Sequence, residues 1–258
     1  MLRDFTKEKF DIFIQAGQSN SKGSGFGSVA EPFSPCDQIW YLNENFTLSL
    51  AEEKVCGNGV RSNFGIFFAN EYLRSGRLKE GRRILIIRAA EGGTGFLDNR
   101  WKPCDDLFLR MMEMIRVALS LNPENRLVAL LWHQGETDAL CNASFDQHFG
   151  HLSTLLSLVR ETFDAPSLPF IAGDFVMQWK LDNLSICQPV VDAMKKVCES
   201  FERCAFVETE GLESNAQSDL DPILGKQNDT IHFSRGALEK LGKRYFDQFV
   251  KITGQDTV

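Results

Sequence analysis

Five short, nearly continuous apolar runs, at 11–16, 83–89, 126–132, 169–174 and 205–208, alternate with longer stretches whose apolar residues recur at three- and four-residue steps. A strand that is apolar on both faces has to be covered on both sides, and a parallel sheet with helices packed above and below it meets that demand. The expected fold is therefore α/β, a three-layer α/β/α sandwich around a five-stranded parallel sheet. Helices are expected at 64–75, 106–121, 145–163, 188–201 and 234–250. In the third, Phe145, Phe149, Leu152, Leu156, Val159 and Phe163 fall along one face. Pro123 follows the second where a helix stop is expected. No linker, repeat or low-complexity tract interrupts residues 1–258, so one domain is expected, its least regular part lying at 23–61.

The formal net charge is −7. That balance argues against an electrostatic grip on nucleic acid phosphates or anionic lipid and leaves small neutral substrates open. The seven cysteines, Cys36, Cys56, Cys104, Cys141, Cys187, Cys198 and Cys204, are scattered, with no Cys-x-x-Cys pair and no Cys/His cluster at zinc spacing. They read as free thiols of a reducing compartment, with neither metal nor other cofactor expected. The charged stretch 1–10 lacks the apolar core of a signal peptide, and no window approaches the roughly 18 apolar residues of a membrane helix. The expected location is the cytoplasm.

In open α/β sheets ligands gather at the carboxyl ends of the strands, and the ends of the first three expected strands are unusual. After the first comes Gly17-Gln18-Ser19-Asn20-Ser21-Lys22-Gly23. A phosphate loop needs Gly-Lys-Ser/Thr where this chain has Lys22-Gly23, the inverted order. A nucleophile elbow needs a second glycine where Ser21 stands. A nucleophilic serine at the mouth of the sheet and a plain polar turn with a helix cap both remain open. After the second strand, Glu91-Gly92-Gly93-Thr94 offers backbone N–H groups unobstructed by side chains, as an oxyanion site requires, or else is a turn and nothing more.

After the third strand, Trp132-His133-Gln134-Gly135-Glu136-Thr137-Asp138 is the densest polar run that directly follows a buried strand. Burying an amide and a carboxylate costs free energy unless each has a partner, which points to a site. Gln134 offers a neutral N–H donor toward an oxyanion, and Glu136 can brace the cleft or orient an imidazole. Asp229 precedes His232 by three residues just before the last helix, a spacing that lets the carboxylate reach the near ring nitrogen. Of the other histidines, His148 and His151 are expected on the solvated flank of a helix and His133 lines the cleft. His232 is left as the candidate general base.

Gly-Gln-Ser19-Asn, the glycine pair before Thr94, His-Gln-Gly-Glu and Asp-x-x-His, in this order over 17–232, resemble the blocks of the SGNH hydrolases. More narrowly they resemble the sialate O-acetylesterase-like branch, which includes the acetylxylan esterases of carbohydrate esterase family six. The resemblance implies a flavodoxin-like sandwich and a metal-independent serine esterase that removes O-acetyl groups from carbohydrates. It implies Ser19 as nucleophile, His232 as base, and Asp229 or Glu136 as third member. The oxyanion donors would be the Ser19 N–H, the N–H of Gly92 or Gly93, and the Gln134 side chain. Asn20, Arg61, Trp101 and His133 are the expected substrate-binding residues, with Trp179 and Phe96 further candidates for sugar stacking. Ser21-Lys22-Gly23 departs from the small or apolar residue and Ala-Gly that often follow in this branch, which bears on the pocket and not on the nucleophile. The competing readings are a lipase or thioesterase of the same superfamily and a noncatalytic carbohydrate- or nucleotide-binding domain. The last requires Ser19 and His232 to lie beyond hydrogen-bond reach.

Overall fold

The computed structural model describes residues 4–28, 33–57, 59–218 and 228–254. Its centre is β1 (Lys9–Gly17), flanked in parallel by β7 (Arg82–Ala90) on one side and β8 (Arg126–His133) on the other. Beyond β8 lie β9 (Phe170–Gly173) and β10 (Cys204–Val207), also parallel. These are the five expected strands. Every residue of β1 after Lys9 is buried, as a strand covered on both faces must be.

The sheet has seven strands rather than five, in the order β10-β9-β8-β1-β7-β3-β4. The two additional strands are β3 (Ile39–Leu42), parallel to β7, and β4 (Leu48–Leu50), antiparallel to β3. Both are short and lie inside the stretch that shows least pattern in the sequence. The four residues of β3 are all buried, but so brief an apolar run carries no period of its own. The same stretch contributes a small antiparallel sheet of β2 (Gly25–Ser28), β6 (Gly59–Ser62) and β5 (Lys54–Cys56), which lies over the carboxyl end of the main sheet.

Helices α2 (Phe64–Arg74) and α8 (Arg235–Thr253) pack together on one face, where Phe13 of β1 meets Phe68 and Tyr72 edge-on. The opposite face is covered by α3 (Asp106–Ser120), α5 (Phe145–Thr162) and α7 (Leu184–Ser200). Helix α7 begins four residues before its expected start because Pro189 sits inside it and not at its first turn. The stripe that α5 turns inward is His148, Leu152, Leu155, Leu156 and Val159, while Phe145 is exposed. His148, expected on a solvated flank, is therefore buried, its ring edge-on to Phe96. Among the described residues no helix is long and apolar enough to cross a membrane.

Because β7 and β8 lie on opposite sides of β1, the chain reverses its direction of winding there. The crevice at such a reversal is where the carboxyl ends of the strands offer an open site.

Candidate active site

Three strand ends are tied together at that crevice. Gly17 closes β1 with φ at +127°, and a Cβ there would lie 2.1 Å from the His133 carbonyl oxygen, so only glycine fits. The Gln18 N–H donates to the His133 carbonyl at 2.9 Å, and the Glu91 N–H donates to the Gly17 carbonyl at 3.0 Å. Thus β1, β7 and β8 end in register. The chain then enters α1 (Ser19–Lys22), whose last turn is held from beneath by the buried Gln15 amide donating to the Ser21 carbonyl at 2.5 Å. Gly23 ends this turn in the left-handed region. Ser19 is the first residue of α1, half-buried, and its N–H belongs to the helix-start donors that have no intrahelical acceptor.

The imidazole that meets Ser19 comes from the other end of the chain. The Ser19 hydroxyl donates to His232 Nε2 at 2.9 Å, and His232 Nδ1–H donates to Asp229 Oδ1 at 2.7 Å. A carboxylate on Nδ1 requires the proton there, which leaves the Nε2 lone pair facing the hydroxyl. The His232 side chain is 22% exposed and that of Asp229 11%, so substrate can reach the serine while the carboxylate stays sheltered. Asp229 is held in turn by Asn215, which donates to Oδ2 at 2.9 Å and to the Ser24 carbonyl at 3.0 Å.

Asn20, expected to touch substrate, is fully buried and serves the framework. Its amide donates to Glu136 Oε1 at 2.8 Å and to the Ile231 carbonyl at 3.0 Å, and its oxygen accepts from the Phe233 N–H at 3.1 Å. Asn20 therefore clasps the chain on both sides of His232 while lying next to Ser19. Glu136 stands behind it, buried at the start of α4 (Glu136–Leu140), and burial raises its carboxyl above the usual range. It is Asp229, and not Glu136, that is hydrogen-bonded to the His232 ring.

The remaining expected residues separate by burial. Gly92 lies beside Ser19, since a Cβ on it would stand 3.8 Å from Ser19 Cβ; nothing lies within 4 Å of a Cβ built on Gly93. The Gly92 N–H donates to Glu91 Oε1 at 3.1 Å, and Lys22 Nζ pairs with the same carboxylate oxygen at 2.8 Å. Burial alone would raise the Glu91 carboxyl, but the hydrogen bond and charge of Lys22 bring it below its ordinary value. Gln134, expected as an oxyanion donor, commits its amide N–H groups to Asp138 at 2.9 Å and to the Thr94 carbonyl at 3.3 Å.

Trp101 is fully buried and donates to the Thr94 hydroxyl at 3.0 Å, and His133 is fully buried against the Tyr245 hydroxyl at 3.0 Å. Phe96 is fully buried and Trp179 nearly so. None of these four is placed to stack on a sugar, because each fills the layer beneath the crevice. Arg61, in β6, is exposed.

Two further neighbours were not singled out in the sequence, although Asp138 ends the polar run that follows β8. Asn215 is a lone amide in an irregular loop. Asp138 organises the wall of the site, accepting from the N–H groups of Phe96 and Leu97 at 2.9 and 2.8 Å as well as from Gln134. Burial would raise the Asp138 carboxyl, but its contact with His148 and these N–H donors hold it below its ordinary value. Among the described residues no cluster of three or more His, Cys, Asp or Glu side chains has metal-binding geometry.

Residues 9–251 match the family model described as carbohydrate esterase, sialic acid-specific acetylesterase. A probable carbohydrate esterase of Arabidopsis thaliana is 28% identical over 62% of this chain and 66% of its own length. A probable 9-O-acetyl-N-acetylneuraminic acid deacetylase of Escherichia coli is 27% identical over 38% of this chain and 37% of its own. These alignments thus span less than two thirds of the relatives they match. The crystal structure of NanS superposes with a TM-score of 0.80 at 16% identity, covering 97% of this chain and 99% of that one, and has the same fold.

Proposed function

The chain belongs to the carbohydrate esterase, sialic acid-specific acetylesterase family, and on that premise we propose that it is a serine esterase that removes O-acetyl groups from carbohydrates through an acyl-serine intermediate. The observation that carries this reading is the unbroken line from the Ser19 hydroxyl to His232 and Asp229, with contacts of 2.9 and 2.7 Å. A noncatalytic binding domain has no use for a serine held against an oriented imidazole.

In the proposed reaction His232 Nε2 takes the Ser19 proton as Oγ attacks the acetyl carbonyl carbon, giving a tetrahedral oxyanion. The N–H groups of Ser19 and Gly92 face that charge, the Gly92 N–H turning from the Glu91 carboxylate to the oxyanion. Collapse breaks the bond to the sugar oxygen, which takes the proton from His232 and leaves as the alcohol. Water, deprotonated by the same nitrogen, then attacks the acetyl-serine, and acetate departs as the proton returns to Ser19. Asp229 stabilises the imidazolium that forms twice in the cycle. The substrate partners are accordingly a small O-acetylated sugar and water.

The test is acetate release from p-nitrophenyl acetate, acetylated xylo-oligosaccharides and 9-O-acetyl sialic acid by the wild type and by Ser19→Ala. Turnover should disappear in the variant while its circular dichroism and melting stay native. Unchanged turnover in Ser19→Ala would refute the reading.

A further inference from the structure

Lys22 stands where the run after Ser19 departs from the usual Ala-Gly, and the proposed reaction makes no use of it. Its ammonium lies 2.8 Å from Oε1 of Glu91 and 3.3 Å from Glu44. The same Glu91 Oε1 accepts the Gly92 N–H at 3.1 Å, so the carboxylate sits on the backbone donor that lies beside Ser19. On the far side its Oε2 is 3.9 Å from Nη2 of Arg110, in α3. The Glu91 backbone is fixed, its N–H on the Gly17 carbonyl at 3.0 Å and its carbonyl accepting from the Thr94 hydroxyl at 2.8 Å. Only the side chain, 29% exposed, has room to move.

Arg110 shows where it can go. The Arg110 Nε and Nη2 atoms are buried and have no hydrogen-bond partner among the described residues, and Glu91 is the one carboxylate among them within ion-pair distance. Buried guanidinium N–H groups without an acceptor are costly, and that edge of the fork matches the two oxygens of a carboxylate. One carboxylate is thus shared by two sets of donors, Gly92 with Lys22 on one side and Arg110 on the other, and it satisfies only the first. An oxyanion forming beside Ser19 changes the balance, because it competes for the Gly92 N–H and repels a carboxylate already there.

We propose that Glu91 is a two-position gate on the oxyanion donor, closed with its carboxylate on the Gly92 N–H and open with it moved onto the Nε–Nη2 edge of Arg110. The inference rests on the esterase reading above and deepens it, giving Arg110 the role of a positioning residue. Lys22 neutralises the carboxylate in the closed position and keeps Glu44 as a partner when the gate opens. The open position serves the transition state, since a neutral ester carbonyl draws far less on the donor than an oxyanion does. Arg110 therefore acts on kcat and leaves KM alone.

The experiment measures p-nitrophenyl acetate hydrolysis by Arg110→Gln, Arg110→Lys, Glu91→Ala and the double variant Glu91→Ala with Arg110→Gln. Arg110→Gln should lower kcat about tenfold or more at unchanged KM, because the carboxylate loses its second position and stays on Gly92. Arg110→Lys should recover part of the loss. Glu91→Ala, with the Gly92 N–H uncapped, should raise kcat, and Arg110→Gln should cost nothing further in that background. An equal loss from Arg110→Gln with and without Glu91, or a Glu91→Ala no faster than the wild type, would overturn the proposal. Both side chains are partly exposed, and melting temperatures check that each variant is folded. The Gly92 amide proton in nitrogen–proton correlation spectra reads the gate without turnover. It should move downfield in Arg110→Gln and upfield in Glu91→Ala, and a resonance unmoved by both would overturn the proposal whether or not an ester is hydrolysed. Absence of hydrolysis by the wild type counts against the esterase reading, whereas additive effects in an active enzyme count against the gate.

Discussion

Replacing Asn20 by alanine removes three hydrogen bonds at once, to Glu136 at 2.8 Å, to the Ile231 carbonyl at 3.0 Å and from the Phe233 N–H at 3.1 Å. Each partner left unsatisfied in a buried place costs about 1–3 kcal/mol, and partial entry of water brings the sum to about 3–5 kcal/mol. In a chain of this size each kcal/mol lowers Tm by about 2–4 °C, so a fall of roughly 10 °C is expected by calorimetry. The fold should survive, since domains of this kind have about 5–15 kcal/mol in hand. The catalytic effect is separate in kind. Freeing the chain on either side of His232 lets the ring drift from Ser19, and a displacement of about 1 Å is worth roughly a hundredfold in kcat. KM for a small ester should hardly move, because Asn20 is fully buried and touches no substrate surface. The assay is steady-state hydrolysis of p-nitrophenyl acetate well below the variant's melting transition. An Asn20→Ala protein with wild-type kcat, or one whose whole defect lies in KM, would refute the positioning role.

The third member of the triad can be tested by a matched pair. Asp229→Asn should lower kcat by about 10²–10⁴, because the amide favours the wrong imidazole tautomer, whereas Glu136→Gln should stay within a few-fold, its raised carboxyl being replaced by a neutral group of the same shape; the reverse ranking would move the role to Glu136. Gly17→Ala should cost more than about 3 kcal/mol, since the left-handed strain adds to the clash with the His133 carbonyl, and a variant melting within a few degrees of the wild type would count against that geometry. Burial holds His133 near pKa 3 against its ordinary 6.5. Between those values the unfolded chain binds a proton that the native state does not, so stability falls as pH drops through this window by about 1.4 kcal/mol per unit. Urea midpoints of His133→Gln should show a slope shallower by one proton, and identical slopes would exclude His133 as its source.

The five strands from β10 to β7 were legible because they are short, mostly apolar runs, as in the stretch from Asp11 to Ala16, where every residue is buried. Strands β3 and β4 were not, being short and set among polar turns, and their pairing is decided by the edge that β7 leaves open. Ser19, His232 and Asp229, which the structure brings together, stood out for a different reason, since each sits in a local motif whose spacing suggests its chemistry. Residues whose role depends on depth were misread. Asn20 and His133 adjoin motif residues and Trp101 lies seven residues beyond Thr94, and only the packing of α1, the 94–101 turn and α8 shows that they point inward. Asn215 was out of reach altogether, because its partners Phe26, in β2, and Asp229, just before the last helix, lie far apart in the sequence.

Ser19 and His232 are 213 residues apart in sequence, and the clasp from Asn20 to Phe233 spans the same interval. Contacts of such long range form only after the entropy of closing nearly the whole chain has been met, so they belong to the late stages of folding. The pairing of β1 with β7 and β8 needs only the first half of the chain, whereas the contact between Ser19 and His232 needs the segment just before the final helix. In refolding, recovery of the proposed esterase activity should therefore trail recovery of the sheet, so that turnover would report completed assembly.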